Sequence, residues 1–257
     1  MAQKTKAGRF RKYYVMLQRT EGIVLKTNPF GEADLIVTHI TKDCGIVKTF
    51  AKSPRKIKSS FGSSLEPLTY SKIAFWGRED SSLPRLVQSD IVYPFHSLRS
   101  SFNCFLKVSE IFELTINFVP ERDTSDRVYS LLLNTLLSME SDGHAGLIML
   151  YYKLKLLEIT GYLPGLNSCG RCGRKGNVFY LSQGTVLCGR CSQDRNPSRS
   201  LSPAVISLCL NLLGWEMNKL GRIKPAEKIV QELTALVDEH VKYITERTIR
   251  TRAFKVP

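Results

Sequence analysis

Four of the chain's seven cysteines lie in one short stretch, NSCGRCGRKGNVFYLSQGTVLCGRCSQDR, from Asn167 to Arg195. They form two matched pairs, Cys169-x2-Cys172 and Cys188-x2-Cys191, with fifteen residues between them. A Cys-x2-Cys turn puts two sulfurs on one side of a tight loop. A second turn brought alongside completes a tetrahedron of about 4 Å edge, which suits thiolates about 2.3 Å from Zn2+. Both turns read Cys-Gly-Arg-Cys, and Gly173 follows the first with the freedom to take a positive φ. The intervening NVFYLSQGTVL alternates apolar and polar residues around Gln183-Gly184, the pattern of a short hairpin. Two disulfides would need an oxidising compartment. A thioredoxin-like redox pair would need one Cys-x2-Cys beside a βαβ pattern. Four thiolates also suit an iron–sulfur cluster, whose spacings are usually different. The double pair therefore favours one structural zinc ion per chain, whose four protein ligands leave no open position for chemistry. Such a site names no function by itself.

The second concentration of reactive groups is cationic. The run AKSPRKIKSS supplies Lys52, Arg55, Lys56 and Lys58 within seven positions, with Lys48 just before it and Lys26 further upstream. Ser59, Ser60, Gly62, Ser63 and Ser64 follow, giving mobility and hydroxyl donors. Arg171, Arg174, Lys175 and Arg190 add cations to the cysteine segment. The formal net charge is +14, and it is uneven. Residues 1–60 hold thirteen Lys and Arg against four acids, and 169–200 hold six against one, whereas 101–168 hold five against eight. A clustered excess points to a polyanionic partner, although a charge run also reads as a solvated loop. Phe61, Tyr70, Phe75 and Trp76 are weaker candidates for stacking on bases, because alternate strand positions belong to a core. No catalytic residues are expected. The glycines never form G-x4-G-K-[ST], His39, His96, His144 and His240 are scattered, and Glu32, Asp34 and Asp43 are isolated as a Mg2+ set. No small-molecule substrate is implied.

Elements to position these groups follow from the hydrophobic pattern. A chain of 257 residues suits one large domain or two to three small ones. EGIVLKT, DLIVTHIT, GIVKTFAK, LTYSKIAFW and PRLVQSDIVY read as five strands, enough for a small closed barrel. From Leu98 the period becomes helical, with Phe102, Phe105, Leu106, Ile111, Phe112 and Leu114 on one stripe. Two more helices precede the cysteines, with Asp123 or Thr124 a candidate cap for the first. Two follow: Ser202-Pro203 opens one, and Pro225 opens the last, whose stripe is Ile229, Leu233, Leu236, Val237, Val241 and Ile244. The expected class is α+β. Its parts are a basic extension 1–15, a barrel 16–97, a helical domain 98–168 plus 201–257, and a zinc-binding module 169–200. No run is long and apolar enough for a membrane span, and MAQKTKAGRFRKYYVMLQR lacks the apolar centre of a secretory signal. Cys44, Cys104 and Cys209 read as small buried hydrophobes, so a reducing cytoplasm is expected.

Several stretches resemble the bacterial recombination mediator family RecO. They are TEGIVLKTNPFGEADLIVTHITKDCGIVKTFAK, AKSPRKIKSSFGSSLEPL, and YYKLKLLEITGYLPGLNSCGRCG, whose helix runs through Gly-Tyr-x-Pro into the first cysteine pair. The resemblance extends to the closing RTIRTRAF. It implies an OB-fold barrel on a helical domain, a cytoplasmic and nucleoid-associated protein, and a non-enzymatic part in DNA-damage repair and recombination by the RecFOR pathway. It also implies binding of single- and double-stranded DNA, annealing of complementary strands, and, with RecR, loading of RecA onto DNA covered by single-stranded-DNA-binding protein. The acidic C-terminal tail of that protein should bind an apolar groove rimmed by cations. The main alternative reading of the residues is a zinc-ribbon RNA-binding adaptor; a second is a nuclease or nucleotidyl transferase, which would need clustered carboxylates for Mg2+. Residues 1–15 carry Lys4, Lys6, Arg9, Arg11 and Lys12 ahead of the family's usual start. They read either as a basic arm or as an upstream start site.

Overall fold

The computed structural model describes residues 16–56, 59–77, 81–124, 126–141, 145–192 and 199–245. The basic stretch 1–15, Lys58, His144 and residues 246–257 lie outside the described residues. Five strands, β1 (Met16–Phe30), β2 (Asp34–Thr41), β3 (Gly45–Ala51), β4 (Tyr70–Gly77) and β5 (Arg85–Tyr93), close a barrel in the order β1-β2-β3-β5-β4. Closure comes from a short parallel pairing of β3 with β5, Phe50 with Arg85 and Ala51 with Leu86. β1 is longer than the alternation alone predicts because it has two partners. Met16–Ile23 pair with β4 and Gly22–Phe30 with β2, and the register shifts between Val24 and Lys26. Such a bulge bends the strand around the barrel.

Alternation divides the barrel residues between two cores. Val24, Val37, Val47, Ala51, Leu65, Ile73, Phe75 and Leu86 fill the barrel interior. Their strand neighbours Ile23, Leu25, Ile40 and Ile46 face outward and join the core of the helices. The barrel is therefore docked through its own outer surface. At this junction Gly45 has φ +64°, and a Cβ there would lie 2.1 Å from the Asp123 carbonyl oxygen. The Arg122 N–H donates to the Ile46 carbonyl at 3.0 Å, continuing the contact. Arg99 buckles the same interface: its guanidinium donates to the carbonyls of Pro94 (2.8 Å) and Pro67 (2.7 Å) and to Thr69 Oγ1 (2.6 Å).

The helices are α1 (His96–Ser100), α2 (Phe102–Phe118), α3 (Asp126–Ser141), α4 (Ala145–Thr160), α5 (Pro203–Gly214) and α6 (Glu227–Thr245). The run expected from Leu98 is thus two helices. Ser101 is extended (φ −100°, ψ 114°) and caps α2, its side chain accepting from the Cys104 N–H. The break turns Phe102 outward, 62% exposed, and the buried face becomes Val108, Ile111, Phe112, Leu114, Thr115 and Phe118. α3 is described from Asp126; residue 125, between it and the cap candidates Asp123 and Thr124, lies outside the described residues. Ser202 caps α5, accepting from the Val205 N–H. α4 packs against α2, α3, α5 and α6. Its Lys153, 3% exposed, is held between Glu110 (2.8 Å) and Asp238 (2.9 Å), so this buried charge is neutralised from two neighbouring helices. α6 buries Leu233, Leu236, Val237, His240 and Val241, with Ile229 and Ile244 at its margins. Between α4 and α5 a small sheet, ordered β7-β6-β8, is made by β6 (Val178–Tyr180), β7 (Thr185–Leu187) and β8 (Arg199–Ser200). No helix among the described residues is long and apolar enough to cross a membrane.

Candidate metal centre and nucleic-acid interface

The hairpin β6–β7 positions the cysteine pairs by its two faces. Phe179 and Val186, paired across it, join the helical core, and the Phe179 ring meets the His240 ring edge-on at 5.9 Å. On the other face Tyr180 and Leu187 pack with Cys169 and Cys188. The first knuckle closes when the Cys169 N–H donates to the Arg174 carbonyl (2.7 Å) and the Gly173 N–H to the Cys169 carbonyl (2.8 Å). Gly173 has φ +72°, as the turn requires. The second closes through the Cys191 N–H on the Cys188 carbonyl, 2.9 Å.

The four sulfurs of Cys169, Cys172, Cys188 and Cys191 lie within 4.8 Å of one another, and Cys172 Sγ and Cys188 Sγ are 3.6 Å apart. That is the size of a tetrahedral thiolate cage, so the residues fit a metal ion. Their proton affinities diverge. The Cys188 backbone N–H, with those of Arg171 and Cys172, draws the Cys169 thiol down to about 6. The Arg174 backbone N–H and guanidinium lower Cys172. Cys191 is pushed up to about 12, first through its hydrogen bond with the Cys172 sulfur. Four sulfurs this close cannot all carry charge without a cation between them.

The candidate cations divide by environment. Lys26, Lys52, Arg55 and Lys56 are exposed on the barrel. The loop after β3 is rooted on the turn before β2: the Ser53 N–H donates to Asp34 Oδ1 at 2.6 Å, and the Arg55 N–H to the Ala33 carbonyl at 3.4 Å. Lys48 is engaged in an ion pair with Glu121 from the loop after α2. In the cysteine module Arg171 donates to Gln183 Oε1 (3.3 Å) and the Cys191 carbonyl (3.2 Å), and Arg174 leans on the Cys172 sulfur. Lys175 and Arg190 are exposed. Of the aromatic candidates, Phe75 is in the barrel core with Phe61 packed against it, Tyr70 packs on the helical core, and Trp76 is 44% exposed. Two residues outside the sequence-based set stand on the same outer face as these cations: Phe30, 51% exposed, and Arg85, register partner of Phe50. Alternation along β1 puts Phe30 on the Lys26 side, and barrel closure brings Arg85 there.

A five-stranded Greek-key barrel docked by its outer surface on a helical body, with a four-sulfur hairpin inserted between helices, defines an OB-fold protein with a metal-type module. Comparison with known proteins agrees. Sequence models described as recombination protein O N terminal and recombination protein O C terminal match residues 16–95 and 105–253. The DNA repair protein RecO of Thermodesulfovibrio yellowstonii is 42% identical over 228 residues, covering 86% of this chain and 91% of its own length. RecO of Nocardioides sp. is 32% identical over 248 residues (93% and 99%), and that of Caldanaerobacter subterraneus subsp. tengcongensis 28% over 239 (92% and 96%). The chain belongs to the recombination protein O (RecO) family of DNA repair proteins.

Proposed function

We propose that this protein is a non-enzymatic mediator of homologous recombination in the bacterial cytoplasm. It binds single- and double-stranded DNA, anneals complementary strands and, with RecR, helps RecA replace single-stranded-DNA-binding protein. The observation that carries the reading is the exposed set Lys26, Lys52, Arg55 and Lys56 on the outer surface of a closed OB-fold barrel, together with family membership. Annealing needs no reacting group. Two strands pair once their phosphates are neutralised and their bases stay accessible, which sequence-independent backbone contacts provide. Zinc is the metal that the four-cysteine cage fits best, as a staple for the hairpin. A groove of about 480 Å³ between this module and α5, lined by Leu166, Pro203, Ile206 and Leu210 with Lys175 at its edge, has the character an acidic, apolar peptide tail would need. The test is affinity for DNA and RNA oligomers of one sequence, with and without Mg2+, followed by annealing without ATP. DNA binding and ATP-independent annealing of uncleaved strands are expected. Preference for RNA would favour an RNA adaptor instead, and ATP- or Mg2+-dependent turnover would refute a non-enzymatic role.

A further inference from the structure

The outer face of the barrel carries a feature that phosphate binding does not explain. Because Val37, Val47, Ala51, Phe75 and Leu86 point inward, their neighbours form rows that point outward. One row runs Lys26–Thr38–Lys48 across β1, β2 and β3. The next runs Asn28–Ile36–Phe50, then across the barrel closure to Arg85 and Trp76. Phe30, at the end of β1, meets Phe50 edge-on with ring centroids 5.8 Å apart, yet remains 51% exposed. Lys52 follows Phe50 by two residues, and Glu32 is exposed in the turn beyond Phe30. An isolated exposed phenylalanine needs no explanation. This one is steadied by a second ring, with Lys26 on its own strand, Arg85 paired with its ring partner Phe50, and the acid at the turn beyond it.

We infer that Phe30, braced by Phe50, is a stacking platform for an unpaired base, while Lys26, Lys52 and Arg85 hold the adjoining phosphates. The inference rests on the reading of the barrel as a DNA-binding surface and adds to it a means of telling single strands from duplex. Every base has a flat face that an aromatic ring can cover, whatever the sequence. In a duplex those faces are already stacked, so only the phosphates remain for contact. Glu32 would keep the backbone off the turn and on the lysine side.

The experiment compares wild type, Phe30→Ala, Phe30→Tyr and a Lys52→Ala/Arg55→Ala/Lys56→Ala variant on a thymidine oligomer, the same oligomer with abasic sites, and a blunt duplex. Phe30→Ala should weaken binding of the oligomer by about 5- to 150-fold, the range of one base–aromatic stack. It should change duplex affinity by less than about twofold and bind the abasic strand as wild type does. Phe30→Tyr keeps the ring and should keep the affinity. A Phe30→Trp variant should show fluorescence quenched by the single strand and not by the duplex, beyond the signal of Trp76 and Trp215. Equal losses on strand and duplex, or no loss on the strand while the triple variant weakens both, would overturn the platform and leave the barrel as a DNA-binding surface. Undiminished DNA binding by the triple variant would instead count against the barrel loop itself.

Discussion

The barrel and the cysteine hairpin are both small β-structures, and they are held together by different physics. The barrel encloses eight buried apolar side chains, from Val24 to Leu86, behind ladders that return on themselves. The hairpin has a private core of Cys169, Tyr180, Leu187 and Cys188, half of which is metal-type sulfur. Apolar burial stabilises by roughly 25 cal/mol per Å², and so small a cluster offers little area. The barrel has a core of its own, whereas the hairpin leans on the helical core through Phe179 and Val186 and has little apolar area on its cysteine face. The cations differ in the same way. Lys26, Lys52, Arg55 and Lys56 form no ion pair with described residues, while Arg171 and Arg174 are spent on Gln183, the Cys191 carbonyl and the Cys172 sulfur. Both regions are basic in the sequence, but two of the four candidate cations of the cysteine module are already engaged, leaving Lys175 and Arg190 exposed.

The largest effect should come from emptying the cage. Cys172→Ser, or chelation, should release one zinc per chain and remove hydrogen-exchange protection around 169–192, because metal binding supplies folding free energy to such modules. Protection in β1–β3 should persist. Loss in both regions would erase the distinction, and an unchanged exchange pattern without metal would refute the metal's structural role.

A smaller effect belongs to the barrel. His39 is fully buried, neither ring nitrogen has a partner among the described residues, and burial lowers its pKa to about 4. The unfolded chain takes up this proton near 6.5 while the folded one resists until about 4. Stability should therefore fall as pH drops through that window, by on the order of 3 kcal/mol, and level off below it. Melting curves of wild type and His39→Leu across pH 4–7 check this, since the variant should lose that part of the slope. Parallel pH profiles would show that His39 does not titrate as described. Smaller still, Glu121→Gln frees Lys48 from its ion pair and removes an acid beside the Lys26–Thr38–Lys48 row. It should tighten DNA binding about two- to fivefold at low salt, given the ~1 kcal/mol ceiling of exposed pairs. Weaker binding would mean the pair positions Lys48 rather than competing for it.

Much of this was legible because it is local. Strand alternation placed β2 to β5 nearly to the residue, and Cys-x2-Cys spacing named four sulfurs that do converge. What escaped depends on residues far apart in sequence. Phe50 meets Arg85 only through barrel closure, and Lys48 meets Glu121 across 73 positions. The outward turn of Phe102 depends on the extended conformation of one residue, Ser101, inside an otherwise helical pattern. The unequal roles of the arginines follow from hydrogen bonds to sulfur and carbonyl groups that no composition count contains.

The central claim, that the barrel loop and not the cysteine module carries the DNA, is tested most directly by salt dependence. Affinity for one single strand should be measured from low to high salt for wild type, Lys52→Ala/Arg55→Ala/Lys56→Ala, and Arg171→Ala/Arg174→Ala. Each lost phosphate contact flattens the slope of log K against log salt by about 0.7 on a single strand. The barrel variant should lose about 2 in slope and weaken on unrelated sequences alike, while the module variant keeps its slope and loses thermal stability. A flattened slope in the module variant with an unchanged one in the barrel variant would contradict the account.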